Sequence, residues 1–155
     1  LGLGDAHAVR GAADALLAAR RADDGDAKLL VCKMVGGRRE VIAGMVRDPQ
    51  FGPCVMLGLG GIFAEAVGDV AFAVAPLAKG DAEDLIDALQ YKNILGAFRG
   101  EPAVDRGKLG AVLEALGRLG AERADIVSID VNPLILAGDT PVVIDALVEL
   151  EGDAR

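Results

Sequence analysis

The stretch Asp130-Val131-Asn132-Pro133-Leu134-Ile135-Leu136-Ala137-Gly138-Asp139-Thr140-Pro141-Val142-Val143-Ile144-Asp145-Ala146 decides how this chain is read. Two apolar runs, Ile126 to Leu136 and Pro141 to Leu150, flank Gly138-Asp139, a pair suited to a tight hairpin turn. A two-residue turn there sets Ala137 opposite Thr140, and every later pair follows from that one. Asn132 then faces Asp145, and Asp130 faces Leu147. Strand side chains alternate between faces with a period of two, so all four project to one side of the ribbon. Pro133 complicates the register, since proline cannot donate to the ladder and favours a bulge. An amide oxygen beside a carboxylate makes a pair of hard donors, the kind Mg²⁺ takes while keeping waters and substrate phosphates. A solvated polar face on an edge hairpin fits the same residues, and the pattern alone leaves both readings open.

Upstream, the sequence predicts alternating hairpins and helices, an α+β order. Asp5 to Arg21 reads as a helix capped by Asp5, with Val9, Ala12, Ala13, Leu16 and Leu17 on one stripe, and the polar run Ala22 to Asp26 ends it. Leu29 to Val35 reads as a strand that stops at Gly36-Gly37. Arg39 to Val46 and Pro53 to Leu59 read as two strands of a hairpin around the turn formers Asp48 to Gly52. Val70 to Leu77 is nearly all apolar, as in a strand covered on both faces. A helix capped by Asp81 follows, with Leu85, Ile86 and Leu89 inward. A second runs from about Asp105 to Glu122, with Leu109, Val112, Leu113, Leu116 and Leu119 in register. Its interior glycines, Gly107, Gly110 and Gly117, each cost about 1 kcal/mol against alanine, which close packing onto a sheet would explain.

Composition narrows the function. The chain has 155 residues, 52% hydrophobic, with 21 glycines but only four Phe, one Tyr and no Trp. Its net charge of -8 and pI of about 4.6 argue against a nucleic-acid backbone as partner, and five aromatics are too few for a base-stacking platform. Cys32, Cys54 and the single His7 cannot compose a zinc site. A disulfide is not needed in a domain this size, so a reducing, cytoplasmic setting is expected. The uncharged stretch Pro49 to Ala64 holds 16 residues, two prolines and four glycines, short of the roughly 18 to 20 that span a membrane. The opening at Leu1 rather than Met suggests a piece of a longer polypeptide.

Asp130-Val131-Asn132-Pro133-Leu134 followed by Val143-Ile144-Asp145-Ala146 resembles the closing motif of the ATP-grasp domain in NDP-forming acyl-CoA synthetases. These are the ADP-forming acetate–CoA ligases, relatives of the succinyl-CoA synthetase beta subunit. The likeness extends through Val46-Arg47-Asp48-Pro49-Gln50-Phe51-Gly52-Pro53, Met56 to Ile62, Asp69-Val70-Ala71-Phe72, Ala75-Pro76-Leu77 and Phe98-Arg99-Gly100 with Pro102. It implies an ATP-grasp fold with a mixed or antiparallel sheet and flanking helices, present here as an incomplete domain. Residues 1–35 would be the tail of the smaller subdomain and 36–155 the larger one.

By the same resemblance, Asn132 and Asp145 match Mg²⁺ ligands, and Asp130 matches an acidic position that faces a travelling phosphohistidine. A structural carboxylate is the other reading of Asp130. The strand Leu29 to Val35 matches the hinge that holds the adenine edge; Cys32, Lys33, Val35 and Glu40 match positions contacting ATP or ADP. Cys32 departs from the family's usual Glu or Gln, which removes one side-chain contact, and Lys33 stands where Pro or Glu is usual. Gly58 to Gly61 fits either a phosphate cradle or a tight turn. His7 lies outside the family's His-Lys motif and reads as an exposed bystander.

The implied whole enzyme interconverts acyl-CoA, ADP and phosphate with free acid, CoA and ATP through a phosphohistidine. Its partners are the remaining N-terminal ATP-grasp portion and the CoA-binding and phosphohistidine domains, in the same chain or a partner subunit, with homo-oligomers allowed. The alternatives are a regulatory region of a protein lysine acetyltransferase and a non-catalytic assembly module.

Overall fold

A computed structural model describes residues 1–21, 23–61 and 67–152. The expected helix terminator at Ala22, and Ile62 to Ala64 of the uncharged stretch, therefore lie outside the described residues. The chain separates into two compact units, Leu1–Met34 and Val35–Arg155.

The first unit carries helix α1, Ala6–Ala18, with Asp5 at its N-cap accepting the Ala8 amide at 2.8 Å. No residue of α1 is buried, and its apolar stripe leaves Leu16 and Leu17 exposed. The expected strand Leu29 to Val35 does not form. An isolated apolar run has no ladder to satisfy its backbone, and Leu30, Val31 and Met34 are exposed.

The second unit is an antiparallel sheet with helices on one face. Its strands are β1 (Arg39–Asp48), β2 (Gly52–Leu59), β3 (Val70–Val74), β4 (Ile126–Ala137), β5 (Thr140–Val143) and β6 (Ala146–Leu150). They are ordered β3-β2-β1-β4-β5, with β6 also pairing β4. The β1–β2 hairpin forms as expected. Asp48 Oδ1 accepts the amides of Gln50 and Phe51 at 2.7 and 2.9 Å, and Gly52 leaves the turn at φ +76°. Those two amides, Phe51 foremost, hold the Asp48 carboxyl below the usual carboxylate range.

Two helices cover one face of the sheet. Helix α2, Asp81–Ala88, buries Ala82, Leu85 and Ile86, and Leu89 is buried just beyond it. Its N-cap is Gly80 at φ +101° rather than the expected Asp81, whose carboxylate instead accepts the Ala78 amide at 2.7 Å. A left-handed cap position suits glycine, so aspartate falls one place inside. Helix α3, Arg106–Glu122, is capped by Asp105, which accepts the Lys108 amide at 3.0 Å. Leu109, Leu113 and Leu116 are buried, but Leu119 is 42% exposed, because Gly120 and not Leu119 continues the buried stripe in the last turn. These helices close over Val41, Ala43, Met45, Val55, Leu57, Ile129, Val131, Leu134 and Leu136.

The other face carries the alternate residues. Val70, Phe72 and Val74 on β3 are exposed, with Phe72 at 60%. The two-sided burial expected for Val70 to Leu77 is therefore wrong. With β3 at the edge of the sheet and α2 and α3 packed on one side, only Ala71 and Ala73 of the strand turn toward the core. The strand also stops at Val74, short of Pro76.

Helix α3 approaches the sheet through glycine. A Cβ on Gly120 would lie 2.9 Å from both Met45 Cγ and Pro53 Cβ, whereas one on Gly110 would meet Ala82 Cβ at an ordinary 3.5 Å. Gly117 is also closely packed, against Val55 at 3.2 Å, but a Cβ on Gly107 would meet only the capping carboxylate of Asp105. Gly110→Ala should therefore stabilise the fold by up to about 1 kcal/mol. Gly120→Ala should destabilise it by about 1 kcal/mol or more, since overpacking outweighs helix propensity. Urea unfolding of the two variants checks the opposite signs. The depressed Asp48 pKa makes its contribution present above the unfolded carboxylate value and lost as pH falls through the lower folded value. The stability gap between wild type and Asp48→Ala should thus narrow as denaturation is repeated from neutral pH into the acid range.

Candidate functional site

The register expected from the Gly138-Asp139 turn holds along β4 from Ala137 back to Ser128, where a shift sets Ile126 opposite Leu150. Ala137 pairs with Thr140 and Leu134 with Val143 on β5, while Val131 pairs with Ala146 and Asp130 with Leu147 on β6. Between the two ladders, the Asn132 amide donates to the Asp145 carbonyl at 3.2 Å, and the Ile144 amide to the Pro133 carbonyl at 3.1 Å. Asn132 thus stands opposite Asp145. The single expected strand Pro141 to Leu150 is instead two, broken at Ile144-Asp145 beside the Asn132-Pro133 step.

That step contains the bulge. Against β1, Val131 pairs with Ala43 but Leu134 pairs with Val41, so Asn132 and Pro133 together oppose Ile42. The extra residue reverses the alternation: Ile129 and Val131 point into the core before it, Leu134 and Leu136 after it. Asp130 and Asn132 consequently face away from the side that α2 and α3 cover, and both are exposed, as is Asp145. One carboxylate oxygen of Asp145 accepts the Ala146 amide at 2.9 Å. Among the described residues, no three His, Cys, Asp or Glu side chains gather tightly enough to hold a metal ion. An ion at Asn132 and Asp145 would complete its shell with water and ligand oxygens, as Mg²⁺ does.

Glu40 occupies the same outward face, paired with Ile135 beyond the bulge. Its carbonyl accepts the Gly60 amide at 2.9 Å, and a Cβ on Gly60 would lie 2.9 Å from the Glu40 carbonyl carbon. The Leu59 amide donates to the Asp69 carbonyl at 3.1 Å. With these two N–H groups spent inside the sheet, Leu59 and Gly60 serve as strand end and turn. Cys32 and Lys33 are exposed in the first unit; Val35 and Glu40 belong to the second. His7 is exposed on α1, and both cysteines are free thiols.

A feature the sequence reading missed lies at the Glu40 end of the sheet. Arg39 is 3% exposed, and its guanidinium makes five hydrogen bonds: to Glu101 Oε2 at 3.1 Å and to the carbonyls of Ile94, Gly96, Pro102 and Gly138 at 2.8 to 3.1 Å. It ties the 94–102 segment and the register-setting turn to β1. The same turn is clamped to α3 by Lys108, which reaches Asp139 at 3.3 Å and Thr140 at 2.9 Å. The Thr140 hydroxyl, then Lys108, hold the Asp139 carboxyl below its usual range.

Phe98 and Glu101 exchange backbone hydrogen bonds at 3.1 and 3.0 Å around Arg99 and Gly100, both at positive φ, +48° and +86°. An L-residue in that region costs about 1–2 kcal/mol. Arg99 lies over the Phe98 ring, 5.2 Å from its centroid. Beside this turn is a cavity of about 410 Å³ lined by Arg38, Glu40, Gly60, Phe98, Arg99 and the Arg39–Glu101 pair. The available signal was Arg38-Arg39 opening a strand in an acidic chain, followed by Phe98-Arg99-Gly100.

Comparison with known proteins places these features in context. The profile of the ATP-grasp domain matches residues 1–150. The chain is 43% identical over 118 residues to the acetate–CoA ligase [ADP-forming] I subunit beta of Pyrococcus furiosus, covering 76% of this chain and 51% of that one. Among solved structures it is similar to Ca. Korarchaeum cryptofilum ACD1 in complex with coenzyme A, with a TM-score of 0.83 and 35% identity over 97% of this chain and 66% of that one. It is also similar to the dinucleotide forming acetyl-coenzyme A synthetase 1 of the same organism, in complex with coenzyme A and Mg-AMPPCP, with a TM-score of 0.68 and 45% identity over 72% and 53%. The chain spans about half the length of the Pyrococcus relative.

Arg39→Met should cost about 3 kcal/mol or more, because it strands a carboxylate and four carbonyls that the guanidinium satisfied. Arg39→Lys should cost less, retaining charge but offering three donors for five acceptors. Urea unfolding measures both, and amide exchange at Phe98 and Glu101 should accelerate in each.

Proposed function

The chain belongs to the ATP-grasp domain family, and from that premise we propose that it is the nucleotide- and Mg²⁺-binding segment of an ADP-forming acyl-CoA synthetase. Residues 1–35 are assigned to the tail of the smaller ATP-grasp subdomain and 36–155 to the larger one. The whole enzyme would interconvert acyl-CoA, ADP and phosphate with acid, CoA and ATP through a phosphohistidine carried by a further domain or subunit.

The observation supporting this most directly is the outward face of the sheet, where Asn132 stands opposite Asp145 beside Asp130, with Glu40 on the same side. Asn132 and Asp145 offer an amide and a carboxylate oxygen to Mg²⁺, leaving most of its shell to water and phosphate oxygens. When bound, the ion neutralises charge on the nucleotide phosphates. Asp130, exposed one step along β4, is suited to accept an imidazole N–H and fix the orientation of a phosphohistidine ring. Val35 and Glu40 are assigned nucleotide contacts, together with Cys32 and Lys33. At Cys32 a thiol replaces a carboxylate or amide, so backbone groups carry adenine recognition with one side-chain contact fewer. The nucleophilic histidine is assigned outside residues 1–155, so the chain alone should not synthesise acyl-CoA.

Calorimetric titration of Mg·ADP, with and without Mg²⁺, tests the assignment. Asp145→Ala should weaken the Mg²⁺-dependent component by about tenfold, the loss of one charge-assisted ligand, and leave metal-free ADP binding unchanged. Wild-type protein with no Mg²⁺-dependent affinity would instead favour a regulatory or assembly role, the direction in which Cys32 points.

A further inference from the structure

The cavity at the Glu40 end of the sheet has an electrostatic character opposite to that of the chain. The protein carries a net charge of -8, yet three arginines and two glutamates line this one space. Arg39 and Glu101 cancel as an ion pair at 3.1 Å, and every Arg39 donor is committed to protein acceptors. Among the described residues, two guanidiniums, Arg38 and Arg99, then stand against the single carboxylate of Glu40. Among the described residues, neither arginine has a carboxylate partner within salt-bridge distance.

Arg99 is also held where an ordinary side chain is disfavoured. Its positive φ is imposed by the Phe98–Glu101 turn, whose ends are fixed by mutual backbone bonds, and Arg39 anchors that segment through Glu101, Gly96 and Pro102. The Phe98 ring supports the guanidinium from one side. A strained residue held by surrounding structure points to a binding role for its side chain.

Two planar cations with one acceptor define a specific ligand chemistry. Guanidiniums bind the oxygens of phosphate in forked pairs. A lone carboxylate would repel a fully ionised anion but accepts a hydrogen bond from one that keeps a proton. We propose that this cavity is a hydrogen-phosphate subsite, in which Arg38 and Arg99 bind the anion's oxygens and Glu40 accepts its P–OH. Sulfate, which has the same shape and no proton at neutral pH, is disfavoured by Glu40, an exclusion built from a repulsive group. The bound group is free inorganic phosphate or the terminal phosphate of a larger ligand, since about 410 Å³ leaves room beyond the ion itself. The role of that phosphate in the reaction rests on the ATP-grasp reading above, whereas the binding does not.

Two-dimensional NMR of the 155-residue protein, titrated separately with inorganic phosphate, sulfate and ADP, tests the subsite. Phosphate should shift the amides of Gly60, Arg99 and Gly100 and the Arg Nε–H signals, and sulfate at equal concentration should not. Arg38→Gln and Arg99→Gln should each weaken phosphate binding about tenfold, and Glu40→Gln should bring sulfate close to phosphate. Arg38 is exposed and makes no hydrogen bond with the Arg39 network, so its variant reports on the site even if Arg99→Gln disturbs the turn. Shifts with ADP but not with inorganic phosphate, lost in both arginine variants, would support the subsite and assign it to a nucleotide's terminal phosphate. The proposal is overturned if neither ligand moves these signals, if both arginine variants bind as wild type does, or if sulfate matches phosphate in the wild type. Asp145→Ala separates the two readings. Retained phosphate shifts with lost Mg·ADP binding place the subsite apart from the metal site, and Mg·ADP binding that survives without phosphate-site shifts leaves the family reading standing and this one refuted.

Discussion

Arg39 commits five donors to five acceptors at one end of β1, and the face that carries Asn132 and Asp145 depends on that commitment. One of its acceptors is the carbonyl of Gly138, in the two-residue turn that sets the register of β4 against β5 and β6. Three others belong to residues 94, 96 and 102, and the fifth is the Glu101 carboxylate. A single buried cation therefore holds in place both the strand that presents Asn132 and the loop that presents Arg99. Burying a charge is unfavourable unless it is fully bonded. The fold meets that condition by bringing together three segments distant in sequence, and the guanidinium makes their positions interdependent.

Much of this architecture was legible because short-range chemistry dictated it. Gly138-Asp139 fixes a hairpin whose pairing then follows residue by residue to Asp130. Asp48 and Gly52 fix the other hairpin, and Pro133 announced the irregularity that became the bulge. Asp5 and Asp105 cap their helices because their carboxylates reach an amide three residues on. The failures share a different cause. Leu29 to Val35 has a strand's composition, but a strand exists only in a ladder. The two-sided burial expected of Val70 to Leu77 depended on which sheet face the helices choose, a tertiary outcome. Asp81 yielded the cap to Gly80 for conformational reasons that residue preference alone does not rank.

The site divides in the same way. Asn132, Asp145 and Asp130 could be placed on one face from local register alone. Glu40 joined them only through β1 pairing with β4, and the resemblance to acyl-CoA synthetases supplied it where geometry could not. Arg38 and Arg39 are neighbours, but Arg39 stands 62 residues from Glu101, and nothing local marks Arg39 as buried or Arg99 as strained. Long-range ionic contacts of this kind emerge only from the assembled fold.

The bulge at Asn132-Pro133 also bears on how this segment tolerates change in length. Just before it Ile129 and Val131 fill the core; after it Leu134 and Leu136 do. Removing either Asn132 or Pro133 would restore unbroken alternation and leave all four facing the core. The mismatch would move to the other edge, where Ile144 and Asp145 would oppose a single residue of β4. The core alone therefore needs one residue fewer here, and the residue in excess gives Asp145 its own partner across the ladder. A one-residue shortening at the bulge is a change that packing tolerates and the pairing of Asn132 with Asp145 does not.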